Sequence, residues 1–134
     1  MTKKMTGANL NALNNAHYQA GDDLYKAGKY QEALEEFKKA LKALPTDSDS
    51  AWAIASCYSD LGKPDLAEDY YKFALKHCPE EEKNDLIYNI GNALFDQMKY
   101  KEAIRLYENI PKQHHTYKMA KKNIRVAKRK IEKY

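Results

Sequence analysis

Residues 28–45 read GKYQEALEEFKKALKALP, and residues 62–79 read GKPDLAEDYYKFALKHCP. Gly28, Ala33, Phe37, Ala40, Leu41 and Pro45 return 34 residues later as Gly62, Ala67, Tyr71, Ala74, Leu75 and Pro79. Gly21, Leu24, Tyr30, Ala33 and Phe37 return 70 residues later as Gly91, Leu94, Tyr100, Ala103 and Tyr107, so a third copy follows a two-residue insertion. Within each copy the apolar positions step by three and four, the spacing of one helical face. A fixed period of this length with helical spacing predicts a solenoid of helix-turn-helix units.

The units can be bounded from the same pattern. The first covers residues 14–47. Its first helix should bury His17, Ala20, Gly21 and Leu24, and Gly28 should end it, because glycine takes the left-handed backbone of a helix C-terminus. Its second helix should bury Ala33, Phe37, Ala40 and Leu41 and stop at Pro45. The second unit covers residues 48–81, with Ala51, Ile54, Ala55 and Tyr58 on its first helix and Pro64 suited to opening its second. The third covers residues 84–111. Its extra residues fall in the acidic run Glu80–Glu82, where acids complement the dipole of the next helix. Ile110 stands where the other units have alanine, and Pro111 follows directly, so its second helix should lose about a turn.

These residues resemble the tetratricopeptide repeat family over residues 14–111. The shared signature is a small residue midway along the first helix, glycine at the turn, alanine early in the second helix, an aromatic four residues on, alanine three later and proline at the exit. The resemblance implies an all-α, right-handed superhelical solenoid that binds other proteins and carries no catalysis. Some members of the family hold the C-terminal carboxylate of heat-shock chaperones in a clamp of lysines, asparagines and an arginine. The matching positions here are Tyr18, Asp22, Ala53, Asp85 and Asn89. None fits, and two are acidic, so an acidic chaperone tail is not expected as the partner. In its three-repeat format the chain is also similar to the bacterial type III secretion chaperones, which use such a groove for an extended client segment.

Outside the repeat lie two segments. Residues 1–13 carry no apolar stretch and are expected to be a flexible N-terminal segment, not a signal peptide. Residues 112–134 carry nine basic residues and one acid, whereas residues 1–111 carry 14 basic and 18 acidic, so the net charge of +4 conceals a basic tail on an acidic body. In that tail Tyr117, Ala120, Ile124, Ala127, Ile131 and Tyr134 form an apolar seam at steps of three and four. It should cap the apolar flank that the third unit leaves open, near Ile104 and Tyr107.

Function is read from what the repeat leaves free. In a stack of such units the first helices line the concave surface. Opposite their core face lie Tyr18, Asp22 and Tyr25 in the first unit, with Asn15 a turn earlier. The second offers Asp49, Trp52, Ser56, Ser59 and Asp60, and the third Asp85, Tyr88, Asn92, Phe95 and Asp96. Aromatic groups with short acids suit a binding surface rather than a solvated face. They predict a protein or peptide partner with basic and apolar anchors, and an adaptor, co-chaperone or assembly factor as the role. The structural alternative is that Tyr25, Trp52 and Phe95 serve the core or lie under the N-terminal segment.

A second functional reading uses Lys118, Lys121, Lys122, Arg125, Lys128 and Arg129 as a surface for nucleic acid or another polyanion. No aromatic residues interleave with these cations to stack bases, which favours the solvated cap. Self-association through the groove or the exposed first repeat is a third. No cofactor is implied: the five glycines are scattered among repeat positions, and none forms a phosphate loop. No metal site is expected, because His114 and His115 are adjacent and adjacent side chains on a helix diverge. Ser56 and Ser59 lack a base nearby in sequence, and Cys57 neighbours a core position, so an enzyme is not expected. The apolar runs are too short to span a membrane, and two unpaired cysteines suit the cytoplasm.

Overall fold

A computed structural model describes residues 6–133. They form seven helices: α1 (Gly7–Lys26), α2 (Tyr30–Ala43), α3 (Ser48–Asp60), α4 (Pro64–His77), α5 (Lys83–Asp96), α6 (Tyr100–Glu108) and α7 (Tyr117–Glu132). A single 3-10 turn, Glu80–Glu82, precedes α5. No strand occurs among the described residues. Each helix packs chiefly on its neighbours in the chain, from α1 on α2 through α6 on α7. That is the contact pattern of a solenoid, in which every unit buries its apolar face only against the next.

The repeated small residues set the helix spacing. Ala33, Ala67 and Ala103 are all completely buried. A Cβ on Gly21 would lie 2.7 Å from the Phe37 ring, and one on Gly91 would lie 2.6 Å from the Tyr107 ring. Those positions therefore admit no side chain while the aromatic stays in place. Phe37, Tyr71 and Tyr107, one per unit, fill the space this opens, and burial of such a ring stabilises by about 1.5–3 kcal/mol.

The three turns close identically. Lys29, Lys63 and Lys99 each donate their backbone N–H to the carbonyl five residues back, of Leu24, Tyr58 and Leu94, at 2.9, 2.8 and 2.9 Å. This closure needs a left-handed residue before the lysine. Gly28 and Gly62 supply it at φ 78° and 74°, but in the third unit Met98 does so at φ 64°. The sequence signature, built on glycine at this turn, does not point to Met98.

Buried polar groups fasten one unit to the next. Asn14 is buried, and its Nδ2 donates towards the Ala40 carbonyl at 2.8 Å, Asp47 Oδ2 at 3.1 Å and Ser50 Oγ at 3.3 Å. Glu68 plays the same part between the second and third units. It accepts from Gln97 Nε2 at 2.8 Å and Lys72 Nζ at 2.5 Å, with Lys99 Nζ at 3.9 Å.

Three expectations need correction or limits. Residues 7–13 are not a flexible lead-in but the opening turns of α1, which starts where Thr6 Oγ1 accepts from the Asn9 N–H at 3.2 Å. The repeat signature dictates helix only from residue 14, whereas capping and the absence of a breaker extend it backwards. The earlier residues of that segment, and Tyr134 at the end of the seam, lie outside the described residues. His17 is not core: it is half-buried, with Nδ1 2.7 Å from Glu36 Oε2. In the third unit α6 has nine residues, against fourteen in α2 and α4. The basic segment forms α7, which buries Ala120 and Ala127.

Candidate functional site

Six of the groove candidates converge on one cavity. It has a volume of about 240 Å³ and is lined by Tyr18, Asp22 and Tyr25 of α1 and Asp49, Trp52, Ala53 and Ser56 of α3, with Phe37 of α2. Every lining residue on α1 and α3 follows from one geometric fact. The core face of each first helix is taken by the repeat positions, so steps of three and four on the other side share the remaining face.

The aromatic walls are braced from behind. The ring of Tyr18 lies 5.3 Å from that of Phe37, and Tyr25 lies 5.1 Å from Tyr30. Seventy residues on, Tyr88 lies 5.9 Å from Tyr107 and Phe95 lies 5.2 Å from Tyr100. Tyr18, Tyr25, Tyr88 and Phe95 are thus half-buried, each standing on an aromatic of its second helix, while Trp52 packs on the core without such a ring behind it. The structural alternative for Tyr25, Trp52 and Phe95 is met in part. All three pack on the core, yet all remain partly accessible, and Tyr25 and Trp52 line the cavity.

The cavity is electronegative. Burial, followed by Asp49, Asp22 and Asp47, raises the Tyr18 phenol above its ordinary value. Burial and then Asp47 raise the Asp49 carboxyl, and burial alone raises Asp96 on α5. Neither Asp49 nor Asp96 has a salt-bridge partner among the described residues, so no neighbouring cation offsets the cost of burying its charge. Asp22 is the exception, 2.9 Å from Lys26 Nζ four residues along. Such an exposed pair is weakened by solvent and salt and yields readily to a better partner.

The remaining candidates are placed differently. Asp60 accepts a hydrogen bond from the Tyr25 hydroxyl and so fixes that ring across the first two units. Asn92 accepts from the Tyr107 hydroxyl at 2.5 Å and from Asn123 Nδ2 of α7 at 3.3 Å. It ties the cap to α5 as much as it faces the groove. Asp85 meets His115 Nε2 at 2.6 Å and His114 Nε2 at 3.7 Å. The expectation that the two histidines diverge is therefore wrong in its premise. They lie in the turn before α7 rather than on a helix, and their rings stack 4.4 Å apart.

Five contributors are not legible in the sequence. Phe37 belongs to the core pattern, and Ala53 offers nothing chemical to notice. Asn123 and the histidine pair lie outside the period. The one signal was Asn123 itself, a neutral residue among the cations of α7.

The two nucleophile types beside the cavity, a thiol and a hydroxyl, are not activated by their surroundings. Burial pushes the Cys57 thiol up to about 12, so it is protonated and inert. Ser56 Oγ has Tyr71 Oη at 3.5 Å and no base. Lys118, Lys121, Lys122, Arg125, Lys128 and Arg129 are all exposed along α7.

Comparison with known proteins agrees with this architecture. Residues 18–82 match the model of the Tetratricopeptide repeat family. The type IV pilus assembly protein PilF of Pseudomonas aeruginosa is 28% identical over 88 residues, and the chain spans 34% of its length. Among solved structures, the second such domain of human RPAP3, in complex with the HSP70 peptide SGPTIEEVD, superposes with a TM-score of 0.76 at 19% identity. That match covers 92% of this chain and 98% of that one. The type III secretion chaperone SycD of Yersinia enterocolitica, in complex with a peptide of the translocator YopD, gives 0.74 at 18% identity, covering 87% and 92%. At these identities the structural likeness establishes the fold.

Proposed function

We propose, from the premise that this chain is a tetratricopeptide-repeat protein, that its concave face captures a peptide or helix bearing a basic side chain beside apolar ones. The module is a non-catalytic adaptor, co-chaperone or assembly factor. The observation that carries this reading is the cavity between the first two units. Its aromatic walls are Tyr18, Tyr25 and Trp52, and its rim holds Asp22 and Asp49. At about 240 Å³ it is smaller than the roughly 300–1,000 Å³ of small-molecule sites. It suits one side chain of a partner, a cation resting on the Trp52 face with a carboxylate beside it. Tyr88, Phe95, Asp85 and Asp96 extend the surface along α5, so a partner lying in the groove would meet a second aromatic-acidic patch.

Solved relatives take peptides, including an acidic one, which supports the peptide class. The acids at Asp22, Asp49 and Asp85 argue that this chain takes the opposite charge. Its place would be the cytoplasm, where Cys57 and Cys78 would remain the free thiols they are in the fold.

Trp52 is the sole tryptophan, so its fluorescence reports occupancy directly. A peptide library with lysine or arginine spaced from Leu or Phe should contain sequences that shift and saturate this signal, and SGPTIEEVD should not. Tyr88→Ala should weaken the best peptide by tenfold or more with helicity unchanged. Binding of the acidic peptide in preference to basic ones would sink the reading.

A second reading rests on the exposed cations Lys118, Lys121, Lys122, Arg125, Lys128 and Arg129 of α7. If they bind RNA, affinity should fall steeply with salt, with a slope of about −0.7 per phosphate contacted on a single strand. Loss of the slope on replacing Lys121, Lys122, Arg125 and Lys128 would support it, and absence of binding to any polyanion would end it.

A further inference from the structure

We propose that Asp85, His114 and His115 form a zinc site that fastens the turn before α7 to the start of α5. Three side chains from two distant segments converge here. The ligand atoms they offer all lie within 4.8 Å of one another. His115 Nε2 is 2.6 Å from Asp85 Oδ1, and His114 Nε2 is 3.7 Å from Asp85 Oδ2. Tetrahedral zinc with bonds of about 2.0–2.1 Å holds its ligand atoms roughly 3.4 Å apart. One observed spacing is shorter than that value and one longer, each to a different carboxylate oxygen, so rotations of the imidazoles and of the carboxylate would bring the three groups onto one ion.

The surroundings fit a cation. His114 Nδ1 lies 2.7 Å from Thr116 Oγ1, a buried hydroxyl. An Nδ1–H donated to that oxygen leaves the Nε2 lone pair facing Asp85, the arrangement that orients metal-bound histidines. The Thr116 N–H, 3.3 Å from the same Nδ1, is the longer and weaker contact that this tautomer gives up. Glu82, one turn before Asp85, has its carboxyl raised by burial and then by Asp49, Glu81 and Asp85, so negative charge gathers at this rim. The imidazoles and one carboxylate match the nitrogen-oxygen preference of zinc rather than the all-oxygen preference of calcium or magnesium.

Access is graded across the three. The His114 side chain is 14% exposed, Asp85 28% and His115 72%. The buried histidine is preset and the outer one is free to close over the ion. The outward side remains open for water or for a ligand atom supplied by a partner. Since Asp85 also lies on the concave rim, zinc here would neutralise the third unit's groove charge while clamping the cap. A plain ion pair between Asp85 and the histidines is the competing account.

Isothermal titration of the full chain with ZnSO₄ separates the two. One zinc per chain should bind with micromolar or tighter affinity and raise the Tm, by mass action on the folded state. His115→Ala should weaken binding at least tenfold, and its exposure leaves the fold intact, checked by circular dichroism. Asp85→Asn should do the same, whereas His77→Ala and Cys78→Ser should leave affinity unchanged. Absence of saturable binding at millimolar zinc overturns the proposal. So does unchanged affinity in His115→Ala, or loss of binding in the His77 or Cys78 variant. Peptide binding in the groove is read separately by Trp52 fluorescence, so failure of one result is distinct from failure of the other.

Discussion

Met98 holds a backbone conformation that its neighbours in the repeat delegate to glycine. At φ 64° its Cβ crowds the following carbonyl, at a cost of about 1–2 kcal/mol that Gly28 and Gly62 avoid. Its side chain is 64% exposed and makes little return. Met98→Gly should therefore stabilise the protein, with part of the gain offset by the greater freedom of glycine in the unfolded chain. Urea denaturation should give about 0.5–1 kcal/mol more stability with an unchanged slope. A loss would mean that the Met98 side chain contributes packing that its exposure hides. Sequence reasoning had every glycine of the period except this missing one, because a helix pattern predicts where a turn must lie and not which residue will tolerate it.

At the scale of the element, α7 decides whether the solenoid ends cleanly. Its seam inserts Ala120 and Ala127, both almost wholly buried, and Asn123 reaches across to Tyr107 and Asn92. Ala127→Glu places an unpaired charge in that seam and should cost about 3 kcal/mol or more. Light scattering should then detect association at concentrations where the parent is monodisperse, since the flank of α6 becomes exposed. Equal stability of this variant would show that the cap is dispensable. The periodicity of α7 was legible because apolar steps of three and four survive any loop. What lay between α6 and α7 was not. The turn at 109–116 has no period, and the meeting of His114 and His115 with Asp85 depends on a loop path that residue spacing does not encode. Asn14 and Glu68 were unreadable for a related reason. Each is polar and buried, and only the geometry of three partners, drawn from its own unit and the next, makes that burial acceptable.

For the whole molecule, the groove trades stability for charge. Asp49 and Asp96 carry carboxyls raised above their ordinary value of 3.8, chiefly by burial. A raised acid binds its proton more readily folded than unfolded, so its contribution falls as pH rises through the folded value and is neutral at more acid pH, where both states are protonated. Asp49→Asn removes that burden. Its Tm should exceed the parent's at pH 7, and the difference should vanish as pH falls below about 3. The same variant should lose affinity for basic peptides. A lower Tm at neutral pH would indicate that Asp49 has a cationic partner in the free protein. The effect will be small, because Asp49 is largely exposed and its field is screened. The aromatic-acidic stripe itself was legible, since the repeat fixes the core face and leaves the opposite one by subtraction. Its division into a cavity on α1 and α3 and a separately anchored stretch on α5 was not.

The serial packing of these helices has a mechanical meaning. The described residues contain no strand, and load applied at the two ends passes mainly from helix to helix, with α7 also tied back to α5 through Asn123 and through the turn that carries His114 and His115. Such a chain of links yields at its weakest joint and leaves the others standing. With nine residues in α6 against fourteen in its counterparts, that joint is the third pair. Pulled from its basic end, the protein should part there first and keep the pocket of its first two units intact.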